Sequence, residues 1–135
     1  MLVHAISFAL LIDIGWFGLA AAKTYIEVDP SEIVVVLESA ETLRGVWAEH
    51  RLYPGLMTNN MLGTYEYSDF PMDEASFGVK PGEHIPGHVV HKYLHAYAKK
   101  FDVYRRIRFR SKADTVGKQD VGGWLISIAP HFVIM

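Results

Sequence analysis

The sequence predicts an α/β fold, and three features of its N-terminal third predict it. A continuous apolar run over residues 6–12 and a β-branched run over residues 32–38 are typical of buried strands. The alanine-rich stretch between them, residues 19–27, is typical of a helix that ends before Asp29-Pro30. Strand, glycine turn, helix and strand within about 30 residues form a Rossmann-like βαβ unit, whose two strands run parallel.

The rest of the chain predicts a long loop, a helix and a small β-hairpin. Residues 39–82 are rich in Gly, Pro, Asn, Tyr and Met without clear periodicity, so we expect a mostly irregular, functional segment. Residues 86–101 predict a helix. Its apolar stripe consists of Val90, Leu94, Tyr97 and Phe101. Residues 105–116 alternate apolar and charged side chains, which predicts one half-exposed strand. After a glycine turn, residues 124–128 predict a further strand.

Composition bounds the function classes. The 135 residues suit one domain, and a chain that is half apolar and 21% charged is globular. A net charge of −2 gives no basic excess, so we expect neither nucleic acid nor an anionic membrane as the main partner. The absence of cysteine excludes a disulfide scaffold, a cysteine nucleophile and a thiolate metal site.

The N-terminus also has features of a targeting segment. Residues 5–12 are apolar, and Ala20-Ala21-Ala22 offers a cleavage motif. However, no Lys or Arg precedes the apolar run, and Asp13 interrupts it at a cost of about 2.5–3.5 kcal/mol in a membrane span. We therefore expect a cytoplasmic protein, and a signal peptide or N-terminal anchor is the less favoured alternative.

The turn after the first strand matches a dinucleotide fingerprint in which one glycine is replaced. The pattern is G-x-G-x-x-G, followed about 20 residues later by an acid that binds ribose. Here Asp13 replaces the first glycine, whereas Gly15 and Gly18 keep the second and third. The second glycine lets the backbone approach a pyrophosphate, and the third lets helix and strand pack closely. Glu38, at the end of the second strand, occupies the place of the acid. A strand-turn-helix without a ligand remains the alternative at this point.

Further motifs follow Glu38 in order. Residues 44–47 read RGVW, residues 53–59 read YPGLMTN, and residues 67–71 read YSDFP. The segments GVKPGEHIPGHVVHKYLHAYAKKF and IRFRSKADTVGKQDVGGWLISI come next. Together these motifs resemble the flavin-containing monooxygenases, in particular fungal FAD-dependent members, over residues 6–128.

The resemblance implies an FAD-dependent oxidoreductase of a secondary-metabolite pathway, acting on a small molecule. It implies that Asn59 is catalytic, beside the reacting flavin. It implies cofactor contacts at Gly15, Trp16, Gly18, Glu38, Gly45 and Trp47. Because Asp13 and Arg44 stand where the family has glycines, and a carboxylate repels pyrophosphate, we expect weakened FAD binding.

The family's members are several times longer and carry a second glycine fingerprint for NADPH, which this sequence lacks. We therefore expect residues 1–135 to form a single, partial FAD-binding domain that is incomplete relative to the family and does not complete the NADPH-dependent cycle alone. A non-redox enzyme such as a cyclase or isomerase, and an inactive remnant, are the alternatives. An incomplete parallel sheet exposes edges, so we expect a homodimer or a complementing subunit.

Other groups of residues favour structural interpretations. Four histidines have the spacing of a metal site, but we expect a solvated helix face and no metal. They are His84, His88, His91 and His95. We expect the loop aromatics to pack the loop rather than to line a pocket, and Asp69 to begin a turn rather than act as a base. These aromatics are Tyr65, Tyr67, Phe70 and Phe77. Alternation places Arg106, Arg108 and Arg110 on one solvated strand face. The C-terminal APHFVIM could form an added edge strand.

Overall fold

A computed structural model of the chain describes residues 8–129, apart from residues 44 and 46. Its strands are β1 Phe8–Ile12, β2 Ile33–Leu37, β3 Met57–Met61, β4 His84–Pro86, β5 Ile107–Arg108, β6 Ala113–Lys118 and β7 Trp124–Ile128. Its α-helices are α1 Trp16–Val28, α2 Glu74–Phe77 and α3 Gly87–Lys100. The predictions that concern residues 1–7, Arg44 and residues 130–135 lie outside the described residues.

The central sheet confirms the predicted βαβ unit. β1 and β2 are parallel in the register Phe8↔Ile33 to Ile12↔Leu37, and β5 pairs parallel on the other side of β2. β2 is therefore the middle strand, and its residues Val34–Leu37 are buried, as a strand covered on both faces requires. Among the described residues, β1 lies at the edge of this sheet, where Ile12 is 50% exposed.

α1 begins earlier than the alanine run predicts. Gly15 caps the helix, and its carbonyl accepts from the Leu19 N–H, so the first turn already includes Trp16. The helix ends at Val28 ahead of Pro30, as expected from the steric restriction that proline places on the preceding residue. Leu19 and Ala22 are the buried residues of α1 and belong to the main hydrophobic core.

The aromatic loop packs onto α3, which confirms the packing interpretation. Val90, Leu94 and Tyr97 of the predicted stripe are buried. The Tyr67 ring stacks on Tyr97 with 4.0 Å between centroids, and the Tyr67 N–H donates to the Tyr93 hydroxyl at 2.7 Å. Burial raises the pKa of Tyr97 to about 12. The segment predicted as mostly irregular therefore also contains β3 and α2, held down by this aromatic core.

The single strand predicted over residues 105–116 is wrong. A 3₁₀ turn, Tyr104–Arg106, precedes β5, and Arg110 adopts a φ of 54° that reverses the chain before β6. The Arg110 N–H donates to the Ala40 carbonyl and the Ser111 N–H to the Glu38 carbonyl. These bonds draw the chain across the end of β2, so Arg106, Arg108 and Arg110 do not share one strand face. The residues after this reversal form the antiparallel β6–β7 hairpin.

Candidate functional site

A cavity of about 410 Å³ opens at the carboxyl ends of β1 and β2. In open parallel sheets, ligands bind at this edge because loops and helix N-termini converge there. The lining residues are Ile12, Asp13, Leu37, Glu38, Ser39, Gly45, Arg51, Ser111, Lys112 and Ala113. The loop after each strand of the central sheet contributes to this cavity.

Asp13 forms the turn in a backbone conformation that favours glycine. Its φ is 79°, in the left-handed region, and its N–H donates to the Leu37 carbonyl at 2.9 Å. The Asp13 carboxylate folds back and accepts from the Ile14 N–H at 3.0 Å. Asp13 is exposed, so its carboxylate accepts this hydrogen bond at the rim of the cavity. Asp13 therefore adopts the left-handed backbone conformation that a glycine at this position would favour.

Gly15 and Gly18 have different physical roles in the turn. A Cβ placed on Gly15 would meet no heavy atom within 4 Å, so the surface beside it is open to an approaching group. A Cβ placed on Gly18 would lie 2.5 Å from the Asp13 carbonyl oxygen, too close for any side chain. Gly18 thus permits the close approach of α1 to the end of β1, and Gly15 leaves room for a ligand.

Glu38 is fully buried and ties the end of β2 to the glycine turn. Its carboxylate accepts from the Ala40 N–H at 2.7 Å and from the Ile14 N–H at 3.3 Å. A carboxylate can accept up to about four hydrogen bonds, so these contacts do not exclude a ribose hydroxyl. Because Ile14 lies within the turn, Glu38 also fixes the backbone that carries Asp13 and Gly15.

Two positively charged side chains that the sequence analysis did not single out line the cavity. Arg51 ends a 3₁₀ turn, Glu49–Arg51, ahead of β3, and Lys112 follows the chain reversal after β5. They line the same cavity as Asp13 and Glu38, so the site contains both positively and negatively charged side chains. Lys112 could have been predicted from its position just after a strand of the parallel sheet. The prediction of one strand over residues 105–116 placed Lys112 inside that strand instead.

Of the predicted site residues, Glu38 and Gly45 line the cavity. The others are not among its lining residues; they are Gly15, Trp16, Gly18, Trp47 and Asn59. The Trp16 ring packs against Tyr65 at 4.5 Å between centroids, although its backbone begins α1 at the turn. The Trp47 indole N–H donates to the Tyr65 hydroxyl at 3.1 Å. Asn59 is exposed on β3 and is not among the lining residues. Gly45, with a φ of 105°, does line the cavity.

The histidines do not converge. His84 lies on β4, with its Nδ1 2.8 Å from the Thr58 carbonyl oxygen. His91 lies on α3, with its Nδ1 2.9 Å from the Trp47 carbonyl oxygen. Within residues 8–129, as far as they are described, no three His, Cys, Asp or Glu side chains are arranged to hold a metal ion. The same part of the chain contains no helix with the length and apolar character needed to cross a bilayer.

Comparison with known proteins gives consistent family matches. The model of the flavin-binding monooxygenase-like family matches residues 9–124. The FAD-dependent monooxygenase rstn6 of Aspergillus nomiae is 35% identical over 127 residues, covering 89% of this chain and 22% of that protein. The FAD-dependent monooxygenase resA of Aspergillus sclerotiorum is 38% identical over 110 residues, covering 82% of this chain and 19% of that protein. The chain thus spans about a fifth of the length of these relatives.

Solved structures share the fold. S-allyl-L-cysteine S-oxygenase from Allium sativum superposes with a TM-score of 0.76 at 18% identity, over 90% of this chain and 31% of that one. An oxidised steroid monooxygenase bound to NADP gives a TM-score of 0.71 at 24% identity, over 89% of this chain and 22% of that one. The central sheet, α1 and the glycine turn are therefore a partial Rossmann-like unit of the kind that flavin monooxygenases contain.

Proposed function

The chain belongs to the flavin-binding monooxygenase-like family, and on that premise we propose that its cavity binds the ADP part of FAD. The observation that carries this proposal is the open surface beside Gly15, at the carboxyl ends of two parallel strands. The start of α1 has no side-chain cap, so its first N–H groups and its positive dipole end suit a phosphate. Glu38 is the acid at the ribose position.

The residues present fit FAD with one exception. Gly18 holds α1 close to β1, and Gly45 and Glu38 line the same cavity, as a dinucleotide site requires. Arg51 and Lys112 supply positive charge to an anionic ligand. Asp13 is the exception, because its carboxylate stands at the cavity rim, where a pyrophosphate would be repelled.

In this proposal the chain is the FAD-binding portion of a monooxygenase-type oxidoreductase acting on a small molecule in secondary metabolism. FAD, when bound, supplies the redox chemistry, which no side chain of this chain can perform. Residues 1–135 act as a single, partial FAD-binding domain, in the cytoplasm, as a homodimer or beside a complementing subunit. Asn59 is proposed as the residue that meets the flavin in that assembly.

The proposal is tested by titrating the purified chain with FAD, ADP and FMN while following flavin fluorescence and heat of binding. Because the cavity is assigned to the ADP part, FAD and ADP should bind and FMN, which lacks ADP, should not. Gly15→Ala should weaken FAD and ADP binding by at least about tenfold, since its methyl group fills the open surface. Gly117→Ala in the hairpin is the matched control and should bind as the unmodified chain does.

Other outcomes distinguish the remaining candidates. Equal binding of FMN and FAD, or unchanged FAD binding by Gly15→Ala, would contradict the assignment of the cavity. Asp13 favours a second candidate function, a family-derived non-redox enzyme such as a cyclase or isomerase, because such an enzyme does not need tightly bound FAD. Turnover of a substrate without flavin or NADPH would favour that candidate. A folded chain with neither flavin binding nor turnover would be an inactive remnant.

A further inference from the structure

Arg51 brings a positive charge to the cavity without an acidic partner. Elsewhere in the described part of the chain, Arg106 pairs with Asp102 at 3.1 Å and Arg110 pairs with Glu41 at 2.9 Å. Arg51 is exposed and lines the cavity, and no carboxylate of the described residues forms an ion pair with it. Its guanidinium is therefore available to an anionic ligand.

A run of turns fixes the backbone of Arg51 beside the cavity. The Ala48 N–H donates to the Gly45 carbonyl at 3.3 Å, and the Arg51 N–H donates to the Ala48 carbonyl at 2.8 Å. Ala48 is fully buried, and Gly45 itself lines the cavity. Leu52 packs against the start of α3, since a Cβ placed on Gly87 would lie 3.2 Å from Leu52 Cδ2. The exposed side chain of Arg51 thus extends from an anchored backbone.

The glycine turn by itself does not balance the charge of a diphosphate. In the proposed function, one phosphate meets the free N–H groups at the start of α1, whose dipole is equivalent to about half a positive charge. A second phosphate adds negative charge, and the Asp13 carboxylate at the cavity rim repels it. A diphosphate in this cavity therefore requires a full positive charge from outside the turn.

Two side chains can supply this charge, and their chemistry differs. The planar guanidinium of Arg51 can donate to two phosphate oxygens at once, whereas Lys112 provides a point charge. Lys112 follows Ser111, whose N–H donates to the Glu38 carbonyl at 2.8 Å. The backbone of Lys112 therefore lies beside the acid assigned to the ribose, which favours the nucleoside side of the ligand for Lys112 and the second phosphate for Arg51.

We propose that Arg51 binds the second phosphate of the ligand and makes the cavity select nucleoside diphosphates over monophosphates. This inference rests on the proposed function, because it assigns a selectivity and a residue to the same cavity. The start of α1 accepts a phosphate of either kind of nucleotide, whereas Arg51 distinguishes two phosphates from one. Its charge also offsets the repulsion by Asp13 at the phosphate that needs it.

The test measures the dissociation constants of AMP and ADP from the heat of binding to the full chain. The unmodified chain should bind ADP at least about tenfold more tightly than AMP. Arg51→Lys keeps the charge but loses the planar fork, so it should weaken ADP binding at least about fivefold and change AMP binding by less than about twofold. Arg51→Gln should abolish the preference. Arg108→Lys, at an exposed arginine outside the cavity lining, is the matched control and should bind as the unmodified chain does.

The outcomes separate this inference from the proposed function. Retained AMP binding reports that the Arg51 variants are folded, so an unchanged preference for ADP in both of them would overturn the role of Arg51 alone. Lys112→Gln should weaken AMP and ADP equally, and loss of the preference in that variant instead would assign the second phosphate to Lys112. Equal binding of AMP and ADP by the unmodified chain would refute the selectivity. Failure of both nucleotides to bind the folded, unmodified chain would contradict the proposed function and this inference together.

Discussion

Replacing Asp13 should tighten FAD binding, and two variants separate the physical reasons. Asp13→Asn removes the negative charge but keeps a side chain that can accept from the Ile14 N–H and tolerates a positive φ. Asp13→Gly removes the charge and also relieves the left-handed backbone, whose φ is 79°. If repulsion of the pyrophosphate dominates, both variants should bind FAD with similar, improved affinity.

The magnitude follows from the exposure of Asp13 and the charge of the ligand. Two unit charges about 4 Å apart interact by about 1 kcal/mol in water and about 4 kcal/mol in the intermediate dielectric near a protein surface. Because Asp13 is exposed at the cavity rim, we expect a gain of about 1–3 kcal/mol, or roughly 5- to 150-fold in Kd. The backbone change in Asp13→Gly should alter the free energy of unfolding by no more than about 1 kcal/mol, because the lost Ile14 hydrogen bond offsets relieved strain.

The assay is FAD titration by fluorescence quenching at low and high salt, with Asp120→Asn as the control. Asp120 is another exposed acid, placed in the hairpin turn and outside the cavity lining. The advantage of Asp13→Asn should shrink as salt rises, since screening weakens interactions between exposed charges. Strong yellow co-purification of the unmodified chain would refute the reasoning, as would an equal gain from Asp120→Asn.

Three further changes test the turn and the aromatic loop. Gly18→Ala should lower the free energy of unfolding in urea by about 1–3 kcal/mol, because the added methyl group meets the Asp13 carbonyl. Stability equal to that of Gly15→Ala would contradict this. Glu38→Gln should lower the free energy of unfolding by about 1–3 kcal/mol in the same assay and weaken FAD binding, because a buried carboxylate that accepts from backbone N–H groups is lost. An unchanged urea midpoint would argue against this. The Lys23 ammonium holds the pKa of Asp69 below its usual range, so the pair stabilises the fold above about pH 4 and is lost as pH falls through the lowered pKa. Asp69→Asn should therefore flatten the fall of Tm between about pH 5 and 2, and parallel curves for both proteins would oppose this assignment.

Local patterns were sufficient where each element depends on near neighbours in sequence. The apolar runs predicted β1 and β2, the fingerprint placed Gly18 at the contact of α1 with the turn, and the apolar stripe predicted α3. The end of β2 placed Glu38 at the cavity because the carboxyl ends of parallel strands share one edge. These predictions succeed because strand and helix periodicity are local properties of the chain.

Local patterns failed where distant segments decide the conformation. The alternation in residues 105–116 resembles one strand, but bonds from Arg110 to Ala40 and from Ser111 to Glu38 reverse the chain after two strand residues. For the same reason Lys112 reaches the cavity unpredicted. The Trp47 indole N–H donates instead to the Tyr65 hydroxyl, and both rings pack against the main hydrophobic core.

The sequence by itself determined the class of fold, the family and the position of the glycine turn, because these rest on residue types at fixed local spacing. The tertiary structure decided which residues share the cavity, since Arg51 and Lys112 are brought to Glu38 by loops that no periodicity describes. The tertiary structure also determined the backbone conformation of Asp13. The replaced glycine was visible in the sequence, but only the fold shows its left-handed backbone held between the Leu37 carbonyl and the packed start of α1.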